Sequence, residues 1–419
     1  MKIKLTLLCL LFCSFIYGQF ENKSVLFIGN SYTYVNDLPR MIADVAASVG
    51  DTLRYDSNAP GGYRLLNHST NATTLAKIAQ NNWDYVVLQE QSQFPSFPDG
   101  QVETDVFPYA HFLDSLITVG NECTETVFYM TWGRKNGDAS NCASWPPVCT
   151  YDGMDSLLNL RYRMMADSNQ AIVSPVGAVW KHLRQNFPLI ELYQADESHP
   201  SVAGTYAAAC CFYAVLFRKD PTLISFNSSL SAADAANIRA AAKLIVYDSL
   251  LNWQVGKYDP IAEFTYTDLG NGEISFTNNS LNFTEFYWSL AGDTSTAMNP
   301  THQFNPGLNK VLLTIYRCGF KASFFQMIFI STIDDVHNQE TDKRNFILYP
   351  NPASQIINLK TDLTLLGEFY SVYDNSGKAV LSGKINSENM LIGIENLTAG
   401  LYWLCVGDRK RFGFSVLKR

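Results

Sequence analysis

The chain has 419 residues, more than one ordinary domain holds, and its length predicts two to four domains. With 47% hydrophobic and 17% charged residues the composition is that of a folded protein and excludes a disordered one. A net charge of −8 with no basic cluster argues against a nucleic-acid-binding surface.

The chain opens on Met1-Lys2-Ile3-Lys4 and an apolar run through Tyr17, the pattern of a secretory signal with cleavage after Gly18. The run is short for a bilayer span. Neither Cys9 nor Cys13 follows the small residues that a lipidated cysteine needs. The mature protein is therefore expected to be exported and soluble, with no transmembrane segment.

Val25-Leu26-Phe27-Ile28 reads as a buried strand, and Gly29 lets the backbone turn sharply after it. Asn36-Asp37-Leu38-Pro39 is a helix start, followed by apolar residues at Met41, Ile42, Val45 and Val49. Ser31 thus lies between a strand and a helix, in the crevice where open α/β sheets bind ligands. Taken alone, Gly29-Asn30-Ser31 reads first as an ordinary turn. Further candidate strands fall at 52–56, 85–88, 126–130 and 171–174, with helical periodicity at 102–119 and 154–169. Short apolar strands alternating with helices predict a parallel sheet covered on both faces up to about Trp253. His68, His111 and His182 fall in or beside helices without an Asp-x-x partner and read as structural or surface residues. Cys142 and Cys149 flank Trp145-Pro146-Pro147 and are expected to pair in an oxidising compartment, with no metal-ligand spacing.

Asp196-Glu197-Ser198-His199 changes the standing of Ser31. An Asp three residues before a His can reach the imidazole, fix its tautomer and stabilise the imidazolium formed when the ring takes a serine proton. The run 202–217 that follows is apolar almost all round and predicts a buried helix, with Cys210 and Cys211 in the core. An early serine with a late Asp-x-x-His resembles the SGNH (GDSL-like) hydrolases. That resemblance implies a flavodoxin-like three-layer α/β fold and hydrolysis of esters, often acetyl esters on carbohydrates. Gly29-Asn30-Ser31 matches the first block of that family, with Asn30 where Asp is usual. Gly61-Gly62 matches the glycine block. Gln89-Glu90-Gln91-Ser92 stands where Gly-x-Asn-Asp is usual, a departure in which Gln91 is the candidate amide donor. Asp196 to His199 matches the fourth block.

From Ile261 the pattern becomes strand-like, with Gly, Asn and Ser turns. Residues 275–280, Tyr287-Trp288-Ser289-Leu290 and Asn299-Pro300-Thr301-His302 resemble a PKD-type immunoglobulin-like module, with Trp288 expected in its core. A polar linker is expected at 331–345. Phe346 to Arg419 contains Tyr349-Pro350-Asn351-Pro352, then Val372-Tyr373-Asp374-Asn375-Ser376-Gly377-Lys378, Leu397-Thr398-Ala399-Gly400-Leu401-Tyr402 and a basic Lys418-Arg419 end. These resemble the C-terminal sorting domain of the type IX secretion system of Gram-negative bacteria, and Asn-Ser-Gly-Lys reads as a hairpin turn.

The expected organisation is a signal (1–18), an α/β hydrolase-like domain (19–258), two small all-β sandwich domains (259–330 and 346–419) and the linker between them. The expected function is an exported serine esterase acting on acyl esters, foremost acetyl esters of carbohydrate, with lipid esters and thioesters open. Ser31 is the expected nucleophile, His199 the base and Asp196 its orienting acid. The Ser31 and Gly62 N–H groups and the Gln91 side chain are the expected oxyanion donors. This chemistry needs no metal or organic cofactor. Expected partners are the ester substrate and the type IX machinery, with export through the periplasm to the surface or medium. The departures at Asn30 and 89–92 keep open a glycan-binding or adhesion protein whose hydrolase domain is inactive.

Overall fold

The computed structural model describes residues 20–330, 347–351, 353–361, 363–374, 378–406 and 410–416. The expected signal, the linker, Pro352, the turn residues 375–377 and Lys418-Arg419 lie outside the described residues. The chain divides into two compact units. The first runs to Ile261 and adds Asn282–Glu285 and Tyr316–Lys321; the second holds the remainder.

In the first unit β1 (Asn22–Ile28), β2 (Thr52–Asn58), β3 (Tyr85–Leu88), β4 (Glu125–Tyr129) and β5 (Ile172–Ser174) form one parallel sheet in the order β2-β1-β3-β4-β5. This is the flavodoxin-like order, with its switch point between β1 and β3. Val25 to Ile28 and Tyr85 to Leu88 are buried along their whole length, which requires helices on both faces.

Those helices are α1 (Ser31–Tyr34), α2 (Leu38–Ala47), α3 (Leu65–His68), α4 (Ala72–Ile78), α5 (Asp99–Asp105), α6 (Phe107–Gly120), α7 (Tyr151–Asn169), α8 (Val176–Asn186), α9 (Val202–Leu216) and α10 (Ala232–Ile245). Helices α2, α8, α9 and α10 pack together as one layer, and α3 to α7 as the other. Side-chain caps start several of them: Asp37 on α2, Thr150 on α7, Ser201 on α9 and Ser231 on α10. Helix α9 is buried over nearly its whole surface, Cys210 and Cys211 included, as its unbroken apolar sequence predicts.

The helix expected over 102–119 is two helices. The chain leaves helical geometry at Val106 (φ −124°), because Pro108 has no N–H for the preceding turn and its ring crowds that turn.

Two disulfides lie in the first unit. Cys142 bonds Cys149, and Cys123 bonds Cys318 across 195 residues of sequence. Cys318 sits in the left-handed region (φ 51°), beside Gly319 (φ 79°), where Asn or Gly is usual.

The second unit is all-β. Strands β6 (Phe264–Gly270), β7 (Glu273–Asn278), β8 (Glu285–Leu290), β9 (Asp293–Ser295), β10 (Thr301–Gln303), β11 (Gly307–Arg317) and β12 (Phe320–Ile330) make two sheets, β10-β7-β6 and β12-β11-β8-β9. Trp288 is fully buried, edge-on to Phe264 at 5.1 Å, so it is a core residue as predicted. Its indole N–H donates to the Ala297 carbonyl at 3.1 Å. Strands β13 (Ile347–Tyr349), β14 (Ile356–Lys360), β15 (Phe369–Tyr373), β16 (Ala379–Lys384), β17 (Asn389–Gly393), β18 (Gly400–Val406) and β19 (Lys410–Val416) form two antiparallel sheets, β13-β14-β17 and β16-β15-β18-β19. They share a separate core of Ile357, Leu359, Val372, Ile392 and Leu404.

Candidate active site

Ser31 follows β1 at the switch point of the sheet, and the elbow carrying it is built from polar contacts. Asn30 caps α1: its carbonyl accepts the N–H groups of Thr33 (2.9 Å) and Tyr34 (3.1 Å), and its side chain accepts that of Tyr32 (3.1 Å). The Ser31 N–H is the one in this turn that the cap does not take. Gln89, directly after β3, locks the elbow from below. Its Oε1 accepts the Asn30 N–H (2.9 Å) and the Thr33 hydroxyl (3.0 Å), and its Nε2 donates to Asn30 Oδ1 (2.9 Å). A Cβ on Gly29 would stand 2.5 Å from Thr33 Oγ1 and 2.6 Å from Gln89 Oε1, so only glycine allows this closure.

His68 is buried beneath the same elbow, with Nε2 2.8 Å from the Gly29 carbonyl and Nδ1 2.8 Å from Thr74 Oγ1. Burial lowers its pKa and keeps it neutral, the structural role expected of it. His111 meets Asn169 and His182 meets Asn186 on exposed surface.

The Asp-x-x-His loop brings the base to the serine. His199 Nε2 lies 2.9 Å from Ser31 Oγ, and His199 Nδ1 is hydrogen-bonded to Asp196 Oδ2. Asp196 Oδ1 also accepts the N–H groups of Ser198 (3.1 Å) and His199 (3.0 Å), a tight turn that Glu197 completes in the left-handed region (φ 61°). Burial would raise the Asp196 carboxyl, but the hydrogen bonds from the His199 ring and from these two N–H groups outweigh it. They hold the acid below the usual carboxylate range. The fold brings His199 to Ser31 across 168 residues of sequence, so that Ser31, His199 and Asp196 stand in one hydrogen-bonded series.

Two aromatic residues that the sequence reading did not single out hold this loop. Trp132, just past β4, donates its indole N–H to the Ser198 carbonyl at 3.1 Å. Tyr32 stacks on Trp132, meets the His199 ring edge-on at 5.5 Å, and shares a hydrogen bond with Ser198 Oγ at 2.7 Å. Trp132 in turn stacks on buried Trp180 at 3.7 Å. The position of Trp132 at the carboxyl edge of the sheet was its only signal in the sequence.

Gly62 lies in an exposed turn closed by the Tyr63 N–H on the Pro60 carbonyl (3.2 Å), and its φ of 71° is the glycine-favouring corner of such a turn. The turn is tied to the elbow, because Asn30 Nδ2 donates to the Tyr63 carbonyl at 2.8 Å. Gln91 keeps its side chain within its own loop, donating to Gln93 Oε1 (3.2 Å) and accepting the Gln93 N–H (2.8 Å). Gln93 donates to Asp138 Oδ2 at 2.7 Å, and Asp138 is the buried hub of the loop that the Cys142–Cys149 disulfide closes. Of the run 89–92, then, Gln89 hydrogen-bonds Asn30 and Thr33 of the serine elbow, and Ser92 meets the side chain of Tyr32. Among the described residues no group of three or more His, Cys, Asp or Glu side chains is placed to hold a metal ion.

Residues 347–414 match the family described as secretion system C-terminal sorting domain. No curated protein matches the chain. Among solved structures, a DUF4886 family protein from Bacteroides uniformis is 16% identical, with a TM-score of 0.48, over 55% of this chain and 95% of its own. A protein assigned to the SGNH hydrolases from Slackia heliotrinireducens is 26% identical, with a TM-score of 0.38, over 46% of this chain and 97% of its own. The psychrotrophic esterase EstA from Pseudoalteromonas sp. is 11% identical, with a TM-score of 0.34, over 47% of this chain and 97% of its own. No helix among the described residues is long and apolar enough to cross a membrane. The chain ends in a secretion sorting tail that marks it for export, and its structural neighbours include SGNH and GDSL-like hydrolases.

Proposed function

We propose that the chain is an exported serine ester hydrolase, with Ser31 as nucleophile, His199 as general base and Asp196 as its orienting acid. The observation that carries this reading is the 2.9 Å approach of His199 Nε2 to Ser31 Oγ, with Asp196 on the other ring nitrogen. Ser31 Oγ attacks the ester carbonyl while its proton passes to His199 Nε2. The imidazolium, stabilised by Asp196, returns that proton to the departing alkoxide, leaving an acyl group on Ser31. Water then attacks the acyl-enzyme with His199 again as base, releasing the acid and restoring the serine.

The Ser31 N–H, the Gly62 N–H and the Gln91 side chain are the proposed oxyanion donors. One such donor is worth about 3 kcal/mol of transition-state stabilisation. For Gln91 this role requires its amide to give up both of its bonds to Gln93. Acetyl esters of carbohydrate are the proposed substrates, and the type IX machinery the proposed export partner, carrying the protein through the periplasm to the surface or medium. A panel of acetyl, butyryl and octanoyl esters, together with acetylated polysaccharides, tests the substrate. Preference for the longest chain would set the acetyl assignment aside.

A further inference from the structure

Glu90 follows β3 with no exposed surface, and no ion pair among the described residues neutralises it. Its Oε1 accepts the Gln91 N–H at 2.6 Å and the Leu65 N–H at 3.3 Å, and its Oε2 also lies 3.3 Å from the Leu65 nitrogen. Leu65 closes the segment that carries Gly62, and Gln91 opens the segment after β3. One buried carboxyl therefore joins the loops that follow β2 and β3. Arg64 supports the same joint from outside: its guanidinium lies 3.6 Å over the Phe94 ring and donates to the Asp105 carbonyl at 2.8 Å. An apolar side chain in place of Glu90 would leave the Leu65 and Gln91 N–H groups without this partner.

We propose that Glu90 is a positioning residue that clamps the 61–65 and 89–93 loops into one wall of the ester site, holding the two donors assigned to the oxyanion in register. This rests on the esterase reading above. Glu90 touches neither Ser31 nor His199 through any hydrogen bond in the structure; its effect runs through the loops. Burial pushes the Glu90 carboxyl up to about 8, against the opposing hydrogen bond from the Gln91 N–H and the charge of Arg64. The titratable groups facing it are Arg64 ahead of α3, Asp105 on α5 and Tyr162 on α7. Raising the pH through that value places a charge in the dry joint and loosens it.

The test measures kcat and KM of the full-length protein from neutral to alkaline pH, for wild type, Glu90→Gln and Glu90→Ala. Wild-type kcat should fall reversibly as the pH passes about 8, with KM little changed. Glu90→Gln should keep the neutral-pH rate and lose that alkaline fall. Glu90→Ala should lower kcat at every pH by about tenfold to a hundredfold, the scale of a small misplacement of catalytic groups. If Glu90→Ala does not fold, the near-isosteric Glu90→Gln decides. Ser31-dependent hydrolysis with the same pH profile in wild type and Glu90→Gln would overturn the proposal alone. An absence of Ser31-dependent hydrolysis in wild type would overturn the esterase reading and the proposal with it.

Discussion

Tyr32 lies face to face with Trp132, ring centroids 4.7 Å apart and planes 3° from parallel, and its hydroxyl reaches the loop between Asp196 and His199. The residue next to the candidate nucleophile thus helps hold the candidate base. Tyr32→Phe removes the hydrogen bond to Ser198 and keeps the stack. It should lower kcat severalfold with KM little changed, since one such bond contributes about 1 kcal/mol. Trp132→Ala removes a fully buried ring from between Tyr32 and Trp180 and should cost about 3–5 kcal/mol of stability. Steady-state kinetics and urea unfolding separate the two effects; a Tyr32→Phe variant with wild-type kcat would show that the loop holds without it.

Asn30 stands where the resemblance leads one to expect Asp, and its contacts give a physical reason. Its Nδ2 donates to the Tyr63 carbonyl at 2.8 Å while its Oδ1 accepts from Tyr32 and Gln89. Asn30→Asp would set a buried carboxylate against that carbonyl and lose the tether of the Gly62 turn. We expect a loss of about 1–3 kcal/mol in urea unfolding and a lower kcat. An Asn30→Asp variant as stable and active as wild type would mean the tether is dispensable.

The strands, the buried α9 and the Asp-x-x-His loop were legible because each is written locally, in an apolar run or a four-residue turn. Ser31 stood out only through the Asp196-x-x-His199 turn 168 positions away, and the family resemblance is what joins the two. Gln89 and Gln91 could not be ranked from sequence, because which amide meets the elbow depends on how the chain turns after Leu88. The stack of Tyr32, Trp132 and Trp180 joins three separate elements and leaves no periodic trace. Cys142 and Cys149 invited pairing by closeness, whereas Cys123 and Cys318 gave no signal, since connectivity does not follow from spacing.

The two disulfides should therefore differ in what they contribute. Closing 195 residues restricts the unfolded chain more than closing 7 does. In the chain-entropy model the long bridge is worth on the order of 5 kcal/mol and the short one about 2 kcal/mol. Thermal unfolding of a Cys123→Ser/Cys318→Ser pair should show the larger drop in Tm. Equal or reversed drops would point to strain or to residual structure in the unfolded state.

The depressed carboxyl of Asp196 gives an acid-side signature. Its folded pKa lies below the ordinary 3.8, so its contribution to stability is present above that value and is lost as the pH falls through the folded one. The side chain is nearly half exposed, so the effect is small. Asp196→Asn should flatten this part of the acid limb in pH-dependent urea midpoints, and should lower kcat less than His199→Ala does. An acid limb identical to wild type would remove the assignment of the shift to Asp196.

If Ser31 is an activated nucleophile, it reacts where ordinary serines do not. A fluorophosphonate probe followed by peptide mass spectrometry tests it most directly, because the probe forms a covalent bond only with a serine whose proton is being taken. Wild type should give one labelled peptide with the adduct on Ser31, His199→Ala should label slowly, and Ser31→Ala should show no adduct together with lost acetyl-ester hydrolysis. An unlabelled Ser31 in wild type, with wild type and Ser31→Ala equally active on every ester tried, would contradict the assignment of Ser31 as nucleophile.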